Sequence, residues 1–140
     1  MRVCVLYAAA GKDTSKIKEI SDGIAQGILE QGHQVDIFDM KKEDKKIISF
    51  YDYIVVGAEG EGTFGGKIPS VVAQFLGRAG KISGKRCTGF VTKPGLRSTK
   101  TLQAVMKAME SEGMYLKNSV ILKKKDEAKA VGKRLHIDTN

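Results

Sequence analysis

The sequence has no tryptophan, two prolines and two cysteines among its 140 residues. Two cysteines are too few for a disulfide scaffold, and their positions do not match a metal-ligand spacing. All apolar runs are far shorter than the roughly 18 residues of a membrane span, and the N-terminus does not have the pattern of a signal peptide. We therefore expect a soluble cytoplasmic protein with reduced thiols, and the length predicts one domain over residues 1–140.

Acidic residues are scarce in the second half of the chain. Residues 1–70 hold 9 Lys/Arg and 11 Asp/Glu, whereas residues 71–140 hold 15 and 5. This asymmetry suggests an anionic partner, which would be a phosphate ligand, an acidic protein or nucleic acid. A solvated basic face is the simpler interpretation, because aromatic residues are not interleaved with the cations. Nucleic-acid binding has neither stacking aromatics nor a recognised module to support it.

Short apolar runs alternate with helical patterns along the chain. The continuous runs at 3–7 and 53–58 are typical of strands buried on both faces of a sheet. The alternation of apolar and polar residues at 34–39 indicates an edge strand. Two further strands are predicted at 87–92 and 114–122.

Apolar residues at helical spacing predict four helices. The first begins at a capping Thr14 or Ser15 and ends before Gly32. It carries Gly23 and Gly27, whose lack of a side chain we interpret as allowing close approach to the sheet. The other three helices start with Pro69 in the first turn, with Ser98 as a cap, and with Asp126 and Glu127 at the positive end of the dipole. The inward-facing residues are predicted to be Ile17, Ile20, Ile24, Ile28, Ile68, Val72, Phe75, Leu76, Leu102, Val105, Met106, Met109, Ala128, Val131 and Leu135.

The order β-α-β-β-α-β-α-β-α predicts an α/β fold with a doubly wound parallel sheet and helices on both faces. Because the second strand has an edge pattern and the first and third have buried patterns, we expect the strand order 2-1-3-4-5. Ligands of such sheets bind beyond the carboxyl ends of the strands, at the switch point between the first and third strands. The first loop (8–13), the second loop (59–66) and the third loop (93–97) all lie at that place.

The chain resembles the flavodoxin family over essentially its whole length. The resemblance is carried by Tyr7, by GHQV at 32–35, by FGGKIP at 64–69 and by AKAVGKRL at 128–135. It implies a flavodoxin-like fold with non-covalently bound FMN. The implied activity is that of an FMN-dependent electron carrier or oxidoreductase, such as a quinone or flavin reductase.

The first loop departs from the family pattern. Flavodoxins place a hydroxyl-rich Ser/Thr-x-Thr-Gly-x-Thr segment here, whereas this chain has AAAGKDTS at 8–15. Backbone N–H groups and the helix dipole would still attract a phosphate, but several hydroxyls are missing and an acid is added. A turn of small residues with a capping Thr explains the loop equally well. The FMN phosphate site implied by the resemblance comprises Ala8, Ala9, Ala10, Gly11, Lys12, Asp13 and Thr14.

The second loop is rich in glycine, which permits close backbone approach. In the family this loop contacts the flavin ring, and Phe64 is the aromatic residue available to cover the ring face or, alternatively, the start of the second helix. A carboxylate of Glu59 that points inward would disfavour anionic reduced flavin. The loop also matches Gly-x-Gly-x-x-Gly, but it follows the third strand, so flexible-loop glycines explain it better than a dinucleotide site. The implied ring contacts are Glu59, Gly60, Gly62, Thr63, Phe64 and Gly65.

The third loop would flank the other side of the flavin through Thr92, Lys93 and Gly95. Lys93 and Arg97 would favour reduced FMN, a phosphate-bearing donor or a redox partner protein with an acidic surface. Two solvated cations are the simpler interpretation. Flavodoxins are typically acidic carriers, so the basic second half is a further departure from the family.

Other catalytic arrangements are missing from the sequence. His33 and His136 do not suggest a Cys-His or Ser-His pair, and Cys4 and Cys87 are expected to be buried core thiols. Two hypotheses therefore remain. One is a flavodoxin-like FMN protein in electron transfer or reduction; the other is a flavin-free flavodoxin-like domain that binds an anionic partner.

Overall fold

The computed structural model describes residues 1–61, 66–92 and 97–138. Strands and helices alternate through these residues. The strands are β1 (Arg2–Ala8), β2 (Gln34–Asp39), β3 (Tyr53–Glu59), β4 (Arg86–Thr92) and β5 (Tyr115–Ile121). The helices are α1 (Ser15–Glu30), α2 (Val71–Gly77), α3 (Ser98–Ser111) and α4 (Lys125–Arg134).

The strands form one parallel sheet in the order β2-β1-β3-β4-β5. This confirms the predicted architecture, with β2 at an edge and β1 and β3 inside the sheet. Because all strands run the same way, their carboxyl ends meet at one edge, which we call the carboxyl edge. Each strand boundary lies within one residue of its predicted position.

Alternate residues of the central strands point to opposite faces of the sheet, and each face is covered by two helices. Leu6 of β1 packs in the cluster that contains Phe75 of α2 and Val105 of α3. Its neighbour Val5 packs in the other cluster, with Ile24 of α1 and residues of α4. The continuous apolar runs of β1 and β3 follow from this two-sided burial.

The predicted isoleucine stripe of α1 is confirmed. Ile17, Ile20, Ile24 and Ile28 are all at most 1% exposed. Fully burying one such side chain contributes about 1.5–3 kcal/mol, so the stripe supplies a large part of the attachment of α1 to the sheet.

The glycines of α1 face a helix, and their interpretation as a helix–sheet contact is wrong. A Cβ on Gly27 would lie 2.2 Å from the carbonyl oxygen of Lys129 in α4. A Cβ on Gly23 would lie 2.8 Å from the carbonyl oxygen of Lys125. The close approach that these glycines permit is therefore between α1 and α4, which lie side by side on one face of the sheet.

Three predicted helix starts differ in detail, and Pro69, which was predicted in the first turn of the second helix, lies before α2. Thr14 lies at the N-cap of α1, but its side chain makes no capping hydrogen bond. Ser98 is the first residue of α3, and Arg97 precedes it in the left-handed region at φ 64°. Ile68 lies before α2 and packs, partly buried, against the core.

Among the helices of the described residues, none is long and apolar enough to cross a membrane. The same residues contain no group of three or more His, Cys, Asp or Glu side chains placed to hold a metal ion.

Candidate functional site

The predicted site lies at the carboxyl edge, where β1, β3 and β4 end side by side. Ala8 pairs with Ala58 across β1 and β3, and Glu59 pairs with Thr92 across β3 and β4. The structure thus brings the first loop, the start of the second loop and the end of β4 together. The predicted contacts at Gly62, Thr63, Phe64, Gly65, Lys93 and Gly95 lie outside the described residues and stay predictions.

The first loop begins inside the protein and ends in solvent. Ala8 and Ala9 are fully buried, and Ala10 is half-buried. Gly11, Lys12 and Asp13 are exposed. Small side chains are required where the loop leaves the sheet, because larger ones would collide with the core that covers β1.

A carboxylate of the second loop reaches into the first. Glu59, the last residue of β3, is 1% exposed, and its Oε1 accepts a hydrogen bond from the backbone N–H of Ala10 at 2.9 Å. Glu59 has the same parity along β3 as Tyr53 and Val55, which pack on the face covered by α1. The carboxylate therefore lies on the side of the sheet where the first loop leads into α1.

The N-terminus of α1 is bound by another carboxylate. Asp13 Oδ1 accepts hydrogen bonds from the backbone N–H of Ser15 at 3.0 Å and from its hydroxyl at 2.6 Å. This acid, which the sequence suggested would only repel a phosphate, makes the capping contact predicted for Thr14 or Ser15.

The same arrangement recurs at the loops that follow β2 and β5. Asp39 Oδ1 accepts the backbone N–H of Lys41 at 3.0 Å. Glu127 Oε1 accepts the backbone N–H groups of Lys123 and Lys124, each at 3.0 Å. At three loops of the carboxyl edge, therefore, backbone donors are bound by carboxylates of the chain itself.

Burial raises the pKa of Tyr7 at the end of β1, and the negative charges of Asp39 and Asp22 raise it further. The Tyr7 hydroxyl therefore stays protonated at neutral pH.

Thr101 of α3 connects the second loop to the helix layer. Its Oγ1 accepts the backbone N–H of Gly66 at 3.2 Å, and a Cβ on Gly60 would lie 3.1 Å from this same oxygen. Glu61 closes the base of the loop by donating its N–H to the carbonyl of Lys67 at 2.7 Å. Thr101 was not predicted, although it continues the buried stripe of Val105 and Met109 at a spacing of four.

Thr92 is the described member of the predicted third-loop contacts. It is 2% exposed, and its Oγ1 has no hydrogen-bond partner among the residues that the structure describes. The side chain follows Phe90 and Thr88 in parity, so it lies beside Glu59 on the α1 face of the sheet.

The first loop does not fit an FMN phosphate in this arrangement. The N–H groups of Ala10 and Ser15 are already bound to carboxylates, and the hydroxyl of Thr14 makes no cap. A phosphate dianion would have to displace a buried carboxylate and remain beside it. The loop therefore has the backbone path expected for a phosphate site, but two of its backbone donors are already bound and a buried carboxylate lies against it.

The same fold is found in solved flavodoxin structures. Oxidised flavodoxin 1 from Bacillus cereus aligns with 96% of this chain and 99% of its own, with a TM-score of 0.76 and 16% identity. The flavodoxin of Streptococcus pneumoniae TIGR4 aligns with 99% of this chain and 100% of its own, with a TM-score of 0.73 and 15% identity.

A flavone reductase also has this fold. It aligns with 93% of this chain and 60% of its own, with a TM-score of 0.69 and 9% identity. No family model matches the chain, and the search of curated proteins found no relative. The strand order and the near full-length alignment therefore establish that this chain has the flavodoxin-like fold.

Proposed function

We propose that the chain binds a flavin at the carboxyl edge and serves in electron transfer or flavin-dependent reduction. The observation that carries the proposal is the meeting of the first loop with the start of the second loop at the carboxyl ends of β1 and β3. The sheet that holds these loops aligns with a flavodoxin over almost its whole length. Because one fold supports many functions, the flavin remains a proposal and not a consequence of the fold.

In this role the flavin ring would carry the electrons, and the chain would supply packing, backbone hydrogen bonds and charge. Thr101 of α3 holds Gly66, the last residue of the second loop, by a hydrogen bond. The redox partner would present an acidic surface, because the exposed cations of the second half include Lys123, Lys124 and Arg134.

Flavin retention tests this function. The purified protein is mixed with an excess of riboflavin or FMN and desalted, and its visible spectrum and flavin fluorescence are recorded. We expect one of the flavins to be retained with quenched fluorescence. Gly60→Ala, whose added Cβ would press on Thr101 at 3.1 Å, should weaken retention. Gly77→Ala in α2, where the nearest side-chain atom is 3.9 Å away, is the matched control.

The contact between Glu59 and Ala10 supports a second candidate, a flavin-free domain that binds an anionic partner. A colourless protein that binds no flavin at micromolar concentration would contradict the first function. The second predicts binding of a poly-glutamate peptide that weakens with salt and that is reduced by Lys123→Glu with Lys124→Glu. The same charge reversal at Lys16 and Lys18 of α1 is the control.

A further inference from the structure

Two backbone donors at the two ends of the first loop, the N–H groups of Ala10 and Ser15, are bound by carboxylates of the chain itself. Glu59 is almost completely buried, and its Oε1 lies 2.9 Å from the backbone nitrogen of Ala10. At the far end of the same loop, Asp13 binds the N–H and the hydroxyl of Ser15. Both carboxylates therefore contact the loop to which the flavodoxin resemblance assigns the flavin phosphate.

We propose that Glu59 is a specificity-determining residue, which makes the carboxyl edge reject a phosphate-bearing flavin and accept the uncharged flavin, riboflavin. The inference rests on the proposed flavin-binding function and names the ligand class of that site. Glu59 acts on the ribityl and phosphate end of the ligand and not on the redox-active ring. It is therefore a residue of recognition and not of catalysis.

The first reason is competition for a donor. A phosphate in the first loop could accept the Ala10 N–H only by displacing Glu59, which holds it. Displacing the carboxylate would leave its charge buried and deprived of that hydrogen bond. A ribityl hydroxyl, in contrast, carries no charge and leaves the contact between Glu59 and Ala10 in place.

The second reason is repulsion between like charges. The exposed Asp13 adds a carboxylate at the N-terminus of α1, and Asp39 adds another at the end of β2. The loop carries Lys12, and Lys41 contacts it with its Nζ 3.5 Å from the carbonyl oxygen of Gly11. Both cations are solvent-exposed, whereas Glu59 is a buried carboxylate in contact with the loop, so its charge is screened less by water and salt.

Riboflavin and FMN share the same ring, so their affinity ratio isolates the phosphate end. Contacts of the protein with the ring contribute equally to both ligands and cancel in the ratio. Binding constants for both flavins are measured by fluorescence quenching at one pH and salt concentration, in the wild type, in Glu59→Gln and in Glu19→Gln. Glu19 is an exposed acid of α1, so Glu19→Gln makes the same charge change away from the loop.

We expect the wild type to bind riboflavin about tenfold or more tightly than FMN, because FMN binding would cost the hydrogen bond between the Ala10 N–H and the Glu59 carboxylate. Glu59→Gln should strengthen FMN binding with little change for riboflavin, whereas Glu19→Gln should leave the ratio unchanged. Circular dichroism establishes that each variant is folded. If Glu59→Gln does not fold, the wild-type ratio still decides the inference, and Asp13→Asn should move that ratio in the same direction.

The outcomes separate the two proposals. FMN bound as tightly as riboflavin, or more tightly, by the wild type would overturn the inference and leave the flavin function intact. An equal change for both flavins in Glu59→Gln would also overturn it, because Glu59 would then act only on the structure. Failure of the wild type and all variants to bind either flavin would overturn the flavin function and the inference with it.

Discussion

Gly27 of α1 and Gly132 of α4 lie backbone against backbone. A Cβ built on Gly132 would come within 3.1 Å of the Gly27 Cα and 2.2 Å of the Ile24 carbonyl oxygen. Real Cβ atoms essentially never approach closer than 3.0 Å, and a backbone cannot give way as a flexible side chain does. The two helices therefore depend on the absence of side chains at their crossing.

We predict that Gly132→Ala lowers the free energy of unfolding by about 1–3 kcal/mol or more, the usual cost of overpacking. The gain in helix propensity, about 1 kcal/mol, offsets only part of it. Urea denaturation followed by circular dichroism gives the difference. Gly11→Ala, where an added Cβ meets nothing within 4 Å, is the control, and equal stability of the two variants would contradict the close contact.

A second prediction concerns a buried polar pair. The hydroxyls of Tyr53 in β3 and Thr88 in β4 share a hydrogen bond of 2.6 Å, and both residues are about 1% exposed. Tyr53→Phe leaves the Thr88 hydroxyl buried without this partner, so we expect a loss of about 1–3 kcal/mol. Thr88→Val in the same protein should recover part of the loss. A double mutant that is less stable than either single mutant would refute the pairing.

The architecture could be predicted because buried strands and amphipathic helices leave periodic patterns. The continuous run of β1 and the alternation of β2 fixed their places in the sheet. The partner of Gly27 could not be predicted, because a glycine shows that something comes close but not what. The chain separation of more than 100 residues between Gly27 and Gly132 is resolved only by the tertiary structure.

The meeting of the first loop with the start of the second loop could be predicted, but the hydrogen bonds between them could not. Parallel strands bring their carboxyl ends together, so the three loops could be placed at one edge from the strand order alone. The direction of the Glu59 side chain depends on the strand register, and a shift of one residue would turn it to the other face. Thr101 was missed because a lone threonine on a helix carries no motif.

A third prediction concerns acid stability. The N–H groups of Lys123 and Lys124 hold the pKa of Glu127 below its ordinary value of 4.5. A carboxyl with a depressed pKa in the folded state stabilises the protein above 4.5, and this contribution is lost as the pH falls through the folded-state value. Glu127→Gln should therefore destabilise the protein at pH 6 and converge with the wild type toward pH 3. Thermal melts across this range test it, and a constant difference would contradict the shift.

A fourth prediction concerns the two thiols, which were correctly expected to be buried. Burial raises the pKa of Cys4, and burial followed by the charge of Glu110 raises the pKa of Cys87 to about 12. Because the thiolate is the reactive form, neither should react with Ellman's reagent at pH 8 in the native protein. Two equivalents should appear after denaturation in urea. Rapid release of one equivalent from the native protein would show that a thiol is accessible.

The carboxylates at the carboxyl edge have a consequence for the conformation of its loops. When the backbone donors of a loop have no acceptor within the chain, a bound ligand supplies the acceptors. Such a loop takes its final conformation only when the ligand is bound. Here Ala10, Ser15, Lys41 and Lys124 have acceptors supplied by the same chain. We therefore expect these loop segments to have the same conformation before and after a flavin binds.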